Sequence, residues 1–236
     1  CCSLKNWFGV MPTVFISGTG TGVGKTLVTT TLIRQIRLSN KSVNALKPVI
    51  TGFDETNYLK SDTALILNEL GRDLTWDNIN TISPWRFHDP ISPNMASENE
   101  GRPLDVNKIA AFCLSNSLPD SILLVEGVGG VMVPLNSEAT VLDLMVELAV
   151  PVILVVGSYL GTLSHTLTAL WVVKNYGLKI AGIVISESEE NAVSVAETQR
   201  TLRKFADDFP ITILPRLKDN QTPSDFPDLT ALLRIL

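Results

Sequence analysis

The chain has 236 residues, 45% of them hydrophobic and 18% charged, with a net charge of −5 and no cluster of lysines or arginines. That length suits one large domain or two small ones with a substantial core, and an acidic balance without a basic patch argues against nucleic acid or an anionic membrane as a partner. The most apolar run, Val150–Gly157, falls far short of the ~20 residues that span a bilayer.

Residues 1–10 contain Cys1 and Cys2 but no basic start, long apolar core or small-residue cleavage site, so they do not read as a secretory signal. We expect them to be an unstructured leader or start-site extension, with Met11 as the natural beginning and residues 11–236 as a single domain. The third cysteine, Cys113, lies in Ile109-Ala110-Ala111-Phe112-Cys113-Leu114. No spacing supports a disulfide framework or a zinc site, which fits a reducing cytoplasm, and Cys113 reads as a buried, inert thiol.

Val14-Phe15-Ile16 reads as a strand, and Leu27–Leu38 as a helix. Between them stands Gly18-Thr19-Gly20-Thr21-Gly22-Val23-Gly24-Lys25-Thr26. Strand, glycine-rich turn, Gly-Lys-Thr and helix form the layout of a phosphate-binding loop. Backbone N–H groups and the helix N-terminus face nucleotide phosphates, Lys25 reaches their outer oxygens, and the Thr26 hydroxyl can ligate magnesium. Five residues separate the leading Gly18 from Gly24, where four are standard, so this loop is one residue longer. The bland alternative is a glycine-rich turn with Lys25 solvated; the flanking strand and helix favour the phosphate loop.

Apolar runs then alternate with helical patterns. Ser42–Leu46 reads as a strand ending at Lys47-Pro48, and Asp62–Leu70 as a helix with Gly71 as its C-cap. Asn78–Asn107 carries four prolines and no recognisable strand; irregular segments of that length are often functional. Ile122–Val125 is a buried strand leading into Glu126-Gly127-Val128-Gly129-Gly130. Thr140–Leu148 reads as a helix, Pro151–Val156 as a strand, Gly157–Gly161 as a turn and Thr162 to about Tyr176 as a helix. Ile180–Ile185, Ala192–Phe205 and Ile211–Leu214 follow as strand, helix and strand. Near-continuous Val/Ile/Leu strands separated by helices predict a single-domain α/β fold, a mostly parallel sheet with helices on both faces, of the phosphate-loop NTPase type.

In such sheets ligands bind at the carboxyl ends of strands. Lys47 and Thr51 follow the second strand; Lys47 is either a solvated strand-end lysine or, if the two strands are neighbours, a group beside the phosphate loop. Glu126 ends an apolar strand, where a phosphate-loop protein places a second magnesium ligand. Asp62 at a helix start reads first as an N-cap. His88 and His165 read as structural, and no serine–histidine–acid triad is supported.

The long loop closely resembles that of dethiobiotin synthetases. So do Lys47-Pro48-Val49 with Thr51-Gly52, Ser61-Asp62, Ser92-Pro93, Glu100-Gly101-Arg102-Pro103, Val125–Gly130, Pro151–Gly157 and Leu160-Gly161, in order from about Thr13 to Pro215. This resemblance implies an ATP- and magnesium-dependent cyclo-ligase of biotin synthesis that converts 7,8-diaminopelargonic acid and carbon dioxide to dethiobiotin, through a carbamate and a carbamic–phosphoric anhydride. It further implies Lys47, Lys25 and Thr21 as the groups at carbamate and phosphate, and Thr26, Asp62 and Glu126 as magnesium ligands, which reverses the cap-first reading of Asp62. Nucleotide contacts would come from Gly22, Val23, Gly24, Leu27, Gly127, Val128 and Gly129, and at the base from Ser186, Glu187, Pro215, Arg216 and Leu217. Thr51 would bind substrate. The family's homodimer implies a substrate carboxylate received at Gly161, Thr162, Leu163 and Ser164, from the partner subunit.

The chain departs from the family pattern at several positions. Gly20 replaces a common aspartate, Thr51 a common serine and Ser164 an asparagine of some members. Ser186-Glu187 stands where well-known members carry Asn-Asp to read adenine, and a hydroxyl lacks an amide's matched donor and acceptor. Base selectivity is then either relaxed or supplied by backbone near Pro215–Leu217. The main rival is a partition or site-selection ATPase; that class carries an extra lysine early in the loop, where this chain has Thr19 and Gly20. The amidating synthetases of corrin synthesis need an appended glutaminase domain for which the sequence leaves no room, and a small-molecule kinase is the remaining alternative. Replacing Lys47 with Gln is expected to abolish ring closure with little effect on the fold.

Overall fold

The structure, a computed structural model, describes residues 13–189, 194–206, 209–218 and 222–233. The expectations for residues 1–10 and Met11 lie outside the described residues.

In chain order the elements are β1 (Thr13–Gly18), α1 (Lys25–Leu38), β2 (Ser42–Leu46), β3 (Val49–Thr51), α2 (Asp62–Leu70), α3 (Trp76–Ile82), β4 (Trp85–Phe87), α4 (Pro93–Asn99) and α5 (Val106–Ser115). Then come β5 (Ser121–Glu126), α6 (Val141–Leu148), β6 (Val152–Val156), α7 (Thr162–Asn175), β7 (Ile180–Ser186), α8 (Val195–Leu202) and β8 (Ile211–Leu214). The main sheet runs β2-β5-β1-β6-β7-β8, and all its pairings are parallel. The predicted fold class therefore holds: one α/β domain, its six-stranded sheet covered on both faces.

Alternation along β1 explains the two cores. Phe15 points into one cluster with Val125, Leu154, Ile183 and residues of α5 to α8. Val14 and Ile16 point into the other, with Leu32 and Ile36 of α1, Ile66 of α2 and Ile79 of α3. A strand buried on both faces needs apolar residues at successive positions, which is why these strands read as unbroken apolar runs.

One expectation is corrected, and one open condition is answered. Residues 78–107 are not irregular: they hold the end of α3, β4, α4 and the start of α5. β4 pairs in parallel with β3, Val49 opposite Trp85 and Thr51 opposite Phe87; three-residue strands give too little alternation to detect. Moreover, β1 and β2 are not neighbours, because β5 lies between them.

Cys113 is 1% exposed on α5, and burial pushes its thiol up to about 12. We expect a thiol reagent at about pH 8 to leave Cys113 untouched in the native protein and to gain one reactive thiol on denaturation. Reaction of Cys113 before unfolding, seen by peptide mass mapping, contradicts that burial.

Candidate active site

The phosphate loop is held from three sides. The Thr19 N–H donates to the Val155 carbonyl (3.1 Å), and the Val131 N–H donates to the Gly18 carbonyl (3.1 Å). Gly130 packs on the loop backbone, where a Cβ would stand 3.2 Å from the Gly20 nitrogen. Gly22 and Gly24 have φ of 73° and 92°, a region L side chains avoid. A Cβ on Gly24 would also be driven into the Ser186 hydroxyl and stand 3.0 Å from the Ser186 Cβ. Gly20 has neither a positive φ nor a neighbour within 4 Å of a would-be Cβ, so the backbone itself does not require glycine there.

Lys25, 7% exposed, donates to the Gly20 carbonyl at 2.8 Å, which folds the ammonium back over the loop. Burial above all, then the nearby Lys47, lowers its pKa to about 8 against the opposing pull of Glu126 and Asp62.

The polar centre is built from three strand or helix ends. Lys47 follows β2, and its N–H donates to the Ile82 carbonyl (3.2 Å). Its Nζ stands 2.7 Å from Glu126 Oε1 and 3.0 Å from Asp62 Oδ2. Lys47 is 3% and Glu126 0% exposed, so the solvated reading of Lys47 is corrected. Burial works most strongly against the Lys47 charge, yet Glu126 and Asp62 together raise its pKa above that of an ordinary lysine. Burial likewise opposes the Asp62 charge, but the Lys47 ammonium, by its charge and its hydrogen bond, holds Asp62 below the usual carboxylate range. The cap reading of Asp62 is corrected too: Ser61 caps α2, its Oγ accepting the Ala64 N–H, and Asp62 is left free to face Lys47.

Glu126 is the hub. Its Oε1 accepts from Thr26 Oγ1 (2.7 Å) and Lys47 (2.7 Å), and its Oε2 accepts from Thr29 Oγ1 (2.7 Å). Although β1 and β2 are separated, β5 carries Glu126 between them and so brings Lys47 to the phosphate loop.

Two clefts flank the loop and share Gly22 and Gly24. One, of about 770 Å³, is lined by Thr21, Lys25, Thr26, Lys47, Thr51, Asp62, Glu126, Val128 and Gly129, with Pro90–Pro93 forming its wall. The other, of about 500 Å³, is lined by Val23, Leu27, Ser186, Glu187, Pro215, Arg216 and Leu217. There the Glu187 carboxylate accepts the Arg216 N–H at 2.9 Å. Gly127 lines neither cleft; it packs on Phe15, whose Cε1 would stand 2.8 Å from a Cβ. Gly161, Thr162, Leu163 and Ser164 also line neither cleft. They start α7, with the Thr162 hydroxyl bonded to the Gly157 carbonyl (2.6 Å). His88 lies outside both clefts. So does His165, whose Nδ1 stands 2.9 Å from the Tyr159 hydroxyl. Sequence reasoning missed Thr29, three residues after Thr26 and on the same helix face; that spacing was the available signal.

A family model described as "AAA domain" matches residues 12–224. The ATP-dependent dethiobiotin synthetase BioD of Caulobacter sp. (strain K31) is 43% identical over 208 residues, covering 87% of this chain and 89% of that protein. The protein of the same name from Phenylobacterium zucineum (strain HLK1) is 44% identical over 211 residues, with 87% and 89% covered. The chain belongs to the dethiobiotin synthetase family. Among solved structures, the septum site-determining protein MinD with Mg-ADP from Pyrococcus horikoshii OT3 matches at a TM-score of 0.51 and 18% identity, covering 87% of this chain and 82% of that one. A ParA family ATPase from Chlorobium tepidum TLS matches at 0.51 and 15%, with 89% and 87% covered. At such identity the likeness is one of fold, shared between this family and the rival ATPase class. Among the described residues no helix is long and apolar enough to cross a membrane.

Proposed function

We propose that the protein closes the ureido ring of dethiobiotin, using ATP to activate a carbamate made from 7,8-diaminopelargonic acid and carbon dioxide. One observation carries this reading beyond family membership: a buried lysine, Lys47, stands between two carboxylates at the mouth of a phosphate loop. A carbamate and a γ-phosphate are both anionic, and their meeting needs fixed cations in a site shielded from water.

In this reading one substrate amine adds to carbon dioxide and loses a proton to give the carbamate. A carbamate oxygen attacks the γ-phosphorus and ADP leaves. The second amine then attacks the carbamoyl carbon, forming the second C–N bond and expelling phosphate. Lys25 and the loop amides would hold the phosphates, Thr21 would assist them, and Lys47 would lie against carbamate and phosphate. Thr51 would hydrogen-bond the substrate. The second cleft would take the base, with Ser186 and Glu187 beside the backbone of Pro215, Arg216 and Leu217.

Magnesium fits the residues present. Among the described residues no three His, Cys, Asp or Glu side chains cluster as a self-sufficient metal site. Thr26, Asp62 and Glu126 instead supply a hydroxyl and two carboxylates, all hard oxygens. Magnesium characteristically takes one or two carboxylates and completes its shell with water and substrate phosphate. The ion would supply positive charge at the phosphates.

A homodimer completes the reading. The α7 start lies outside this chain's own clefts, next to Leu160, which is 81% exposed, with Trp171 on the same helix 67% exposed. A partner's α7 N-terminus would receive the substrate carboxylate at its Leu163 and Ser164 N–H groups, since the Thr162 N–H already donates to the Tyr159 carbonyl (3.1 Å). Concentration-dependent sedimentation checks this, and a monomer at all concentrations overturns it.

The deciding experiment measures phosphate release and follows dethiobiotin by mass, with and without diaminopelargonate plus bicarbonate. Turnover requiring both co-substrates, with product at the ring-closed mass, supports the reading. ATP hydrolysis indifferent to them overturns it in favour of the switch ATPase.

The Lys25 ammonium gives a pH prediction. Phosphate selects the protonated amine, so affinity of the metal-free protein for ATP should be flat below about pH 7 and fall toward tenfold per unit above about pH 8. Calorimetric titration in EDTA reads this, and an affinity flat to about pH 9.5 contradicts it. For folding the sign is opposite. A lysine lowered on folding penalises the native state below its folded pKa, and that penalty is relieved as pH rises from about 8 toward the ordinary lysine value of 10.5.

A further inference from the structure

α1 carries three threonines in a row, and they do not behave alike. Thr30 Oγ1 donates to the Thr26 carbonyl (2.8 Å) and Thr31 Oγ1 to the Leu27 carbonyl (2.7 Å), the ordinary bond of a helical threonine to the carbonyl four residues back. Thr29 has the same option at the Lys25 carbonyl, 3.0 Å away. Its Oγ1 also stands 2.7 Å from Glu126 Oε2. A hydroxyl has one proton, and here two acceptors compete for it. The carboxylate is nearer and charged, and a charged acceptor makes the shorter, stronger bond.

The consequence falls on Glu126. The terminal torsion of a glutamate is broad and roughly two-fold, so packing alone does not fix which way its two oxygens face. Thr26 and Thr29, one helical turn apart on α1, place a hydroxyl on each oxygen: Thr26 on Oε1 and Thr29 on Oε2. Lys47 then meets Oε1 at 2.7 Å. Thr29 is 0% exposed and lines neither cleft, so it touches Glu126 and not the space a ligand would fill.

We propose that Thr29 is a positioning residue: its hydroxyl locks the Glu126 carboxylate in the orientation that presents Oε1 to Thr26, Lys47 and a divalent cation. The proposal rests on the nucleotide and magnesium reading of the cleft. Outer contacts of this kind typically change metal affinity or activity by about 10- to 100-fold.

The test compares Thr29→Val, which keeps the shape and removes the hydroxyl, with Thr29→Ser, which keeps the hydroxyl. Mn2+ binding in the presence of a non-hydrolysable ATP analogue is read by electron paramagnetic resonance, alongside kcat, KM for diaminopelargonate and a thermal melt. Thr29→Val should melt cooperatively, bind Mn2+ about 10- to 100-fold more weakly and lose kcat with little change in KM, while Thr29→Ser should stay within about threefold of the parent. A valine variant within about twofold of the parent in Mn2+ affinity overturns the proposal. So does a serine variant as impaired as the valine one, because the methyl group rather than the hydroxyl would then matter. Should the valine variant fail to fold, Thr29→Ala against Thr29→Ser makes the same comparison: only the alanine variant should lose Mn2+, and equal behaviour overturns the assignment. A parent protein that binds Mn2+ with the analogue but makes no dethiobiotin removes the proposed reaction and leaves the Mn2+ comparison intact.

Discussion

Lys47→Gln is expected to lower dethiobiotin formation by about 1,000-fold or more and, in metal-free buffer, to lower the Tm on the order of 10 °C. The first effect follows from removing a fixed cation from the place where two anions must meet. The second follows from burial. Lys47 is 3% exposed and joins Glu126 and Asp62 at 2.7 and 3.0 Å. The glutamine amide can donate to the carboxylates but cannot neutralise either. Breaking a buried pair by removing one partner typically costs about 3–5 kcal/mol, because the charge left behind has no compensation. The expectation from sequence that the fold would hardly notice is revised for that reason. Product assays and calorimetry in EDTA read the two effects separately. Full turnover removes Lys47 from the chemistry, and an unchanged Tm contradicts the buried pair.

Gly24→Ala should weaken ATP binding by about 100-fold or more. Two causes act together. At φ 92° an alanine is strained, by about 1–2 kcal/mol for a left-handed residue. In addition, the new Cβ would press into Ser186 at the end of β7, and although its hydroxyl could rotate toward the neighbouring cleft, its Cβ, 3.0 Å away, is fixed by the strand backbone. The loop would have to move, and with it the amides aimed at phosphate. The double variant Gly24→Ala with Ser186→Gly removes the collision and keeps the strain, so it should recover part of the affinity. Binding by fluorescent nucleotide displacement measures both. A single variant that binds like the parent contradicts the close contact, and a double variant no better than the single one assigns the whole effect to backbone conformation.

Much of this site was legible because it is written in local patterns. Gly18–Thr26 between a strand and a helix announces a phosphate loop, and Glu126 at the end of Ile122–Val125 announces a polar group at a strand terminus. Helix and strand positions for β2, α2 and β8 coincide with the pattern of apolar residues. What failed was non-local or short. The order of strands is not a property of any one segment, so the interposition of β5 between β1 and β2 was invisible, and with it the burial of Lys47. β3 and β4 have three residues each, below the length at which period-2 alternation can be told from chance. Ser61 and Asp62 both favour an N-cap, and only the geometry shows that Ser61 caps and Asp62 faces Lys47. The proton choice of Thr29 depends on a residue nearly a hundred positions away.

The strand order also bears on how this chain is made. On the ribosome, β1 and β2 emerge first, yet neither pairs with the other. Leu46 waits for Val125, and Phe15 waits for Val125 on one side and Val152 on the other. At roughly 5–20 residues per second that is a wait on the order of ten seconds, during which Val14-Phe15-Ile16 of β1 and Val43, Ala45 and Leu46 of β2 lie on strands with unpaired edges. A nascent chain truncated before residue 121 has every residue of the phosphate loop and no sheet to hold it, so holdase chaperones should bind it strongly and release it once β5 has been translated.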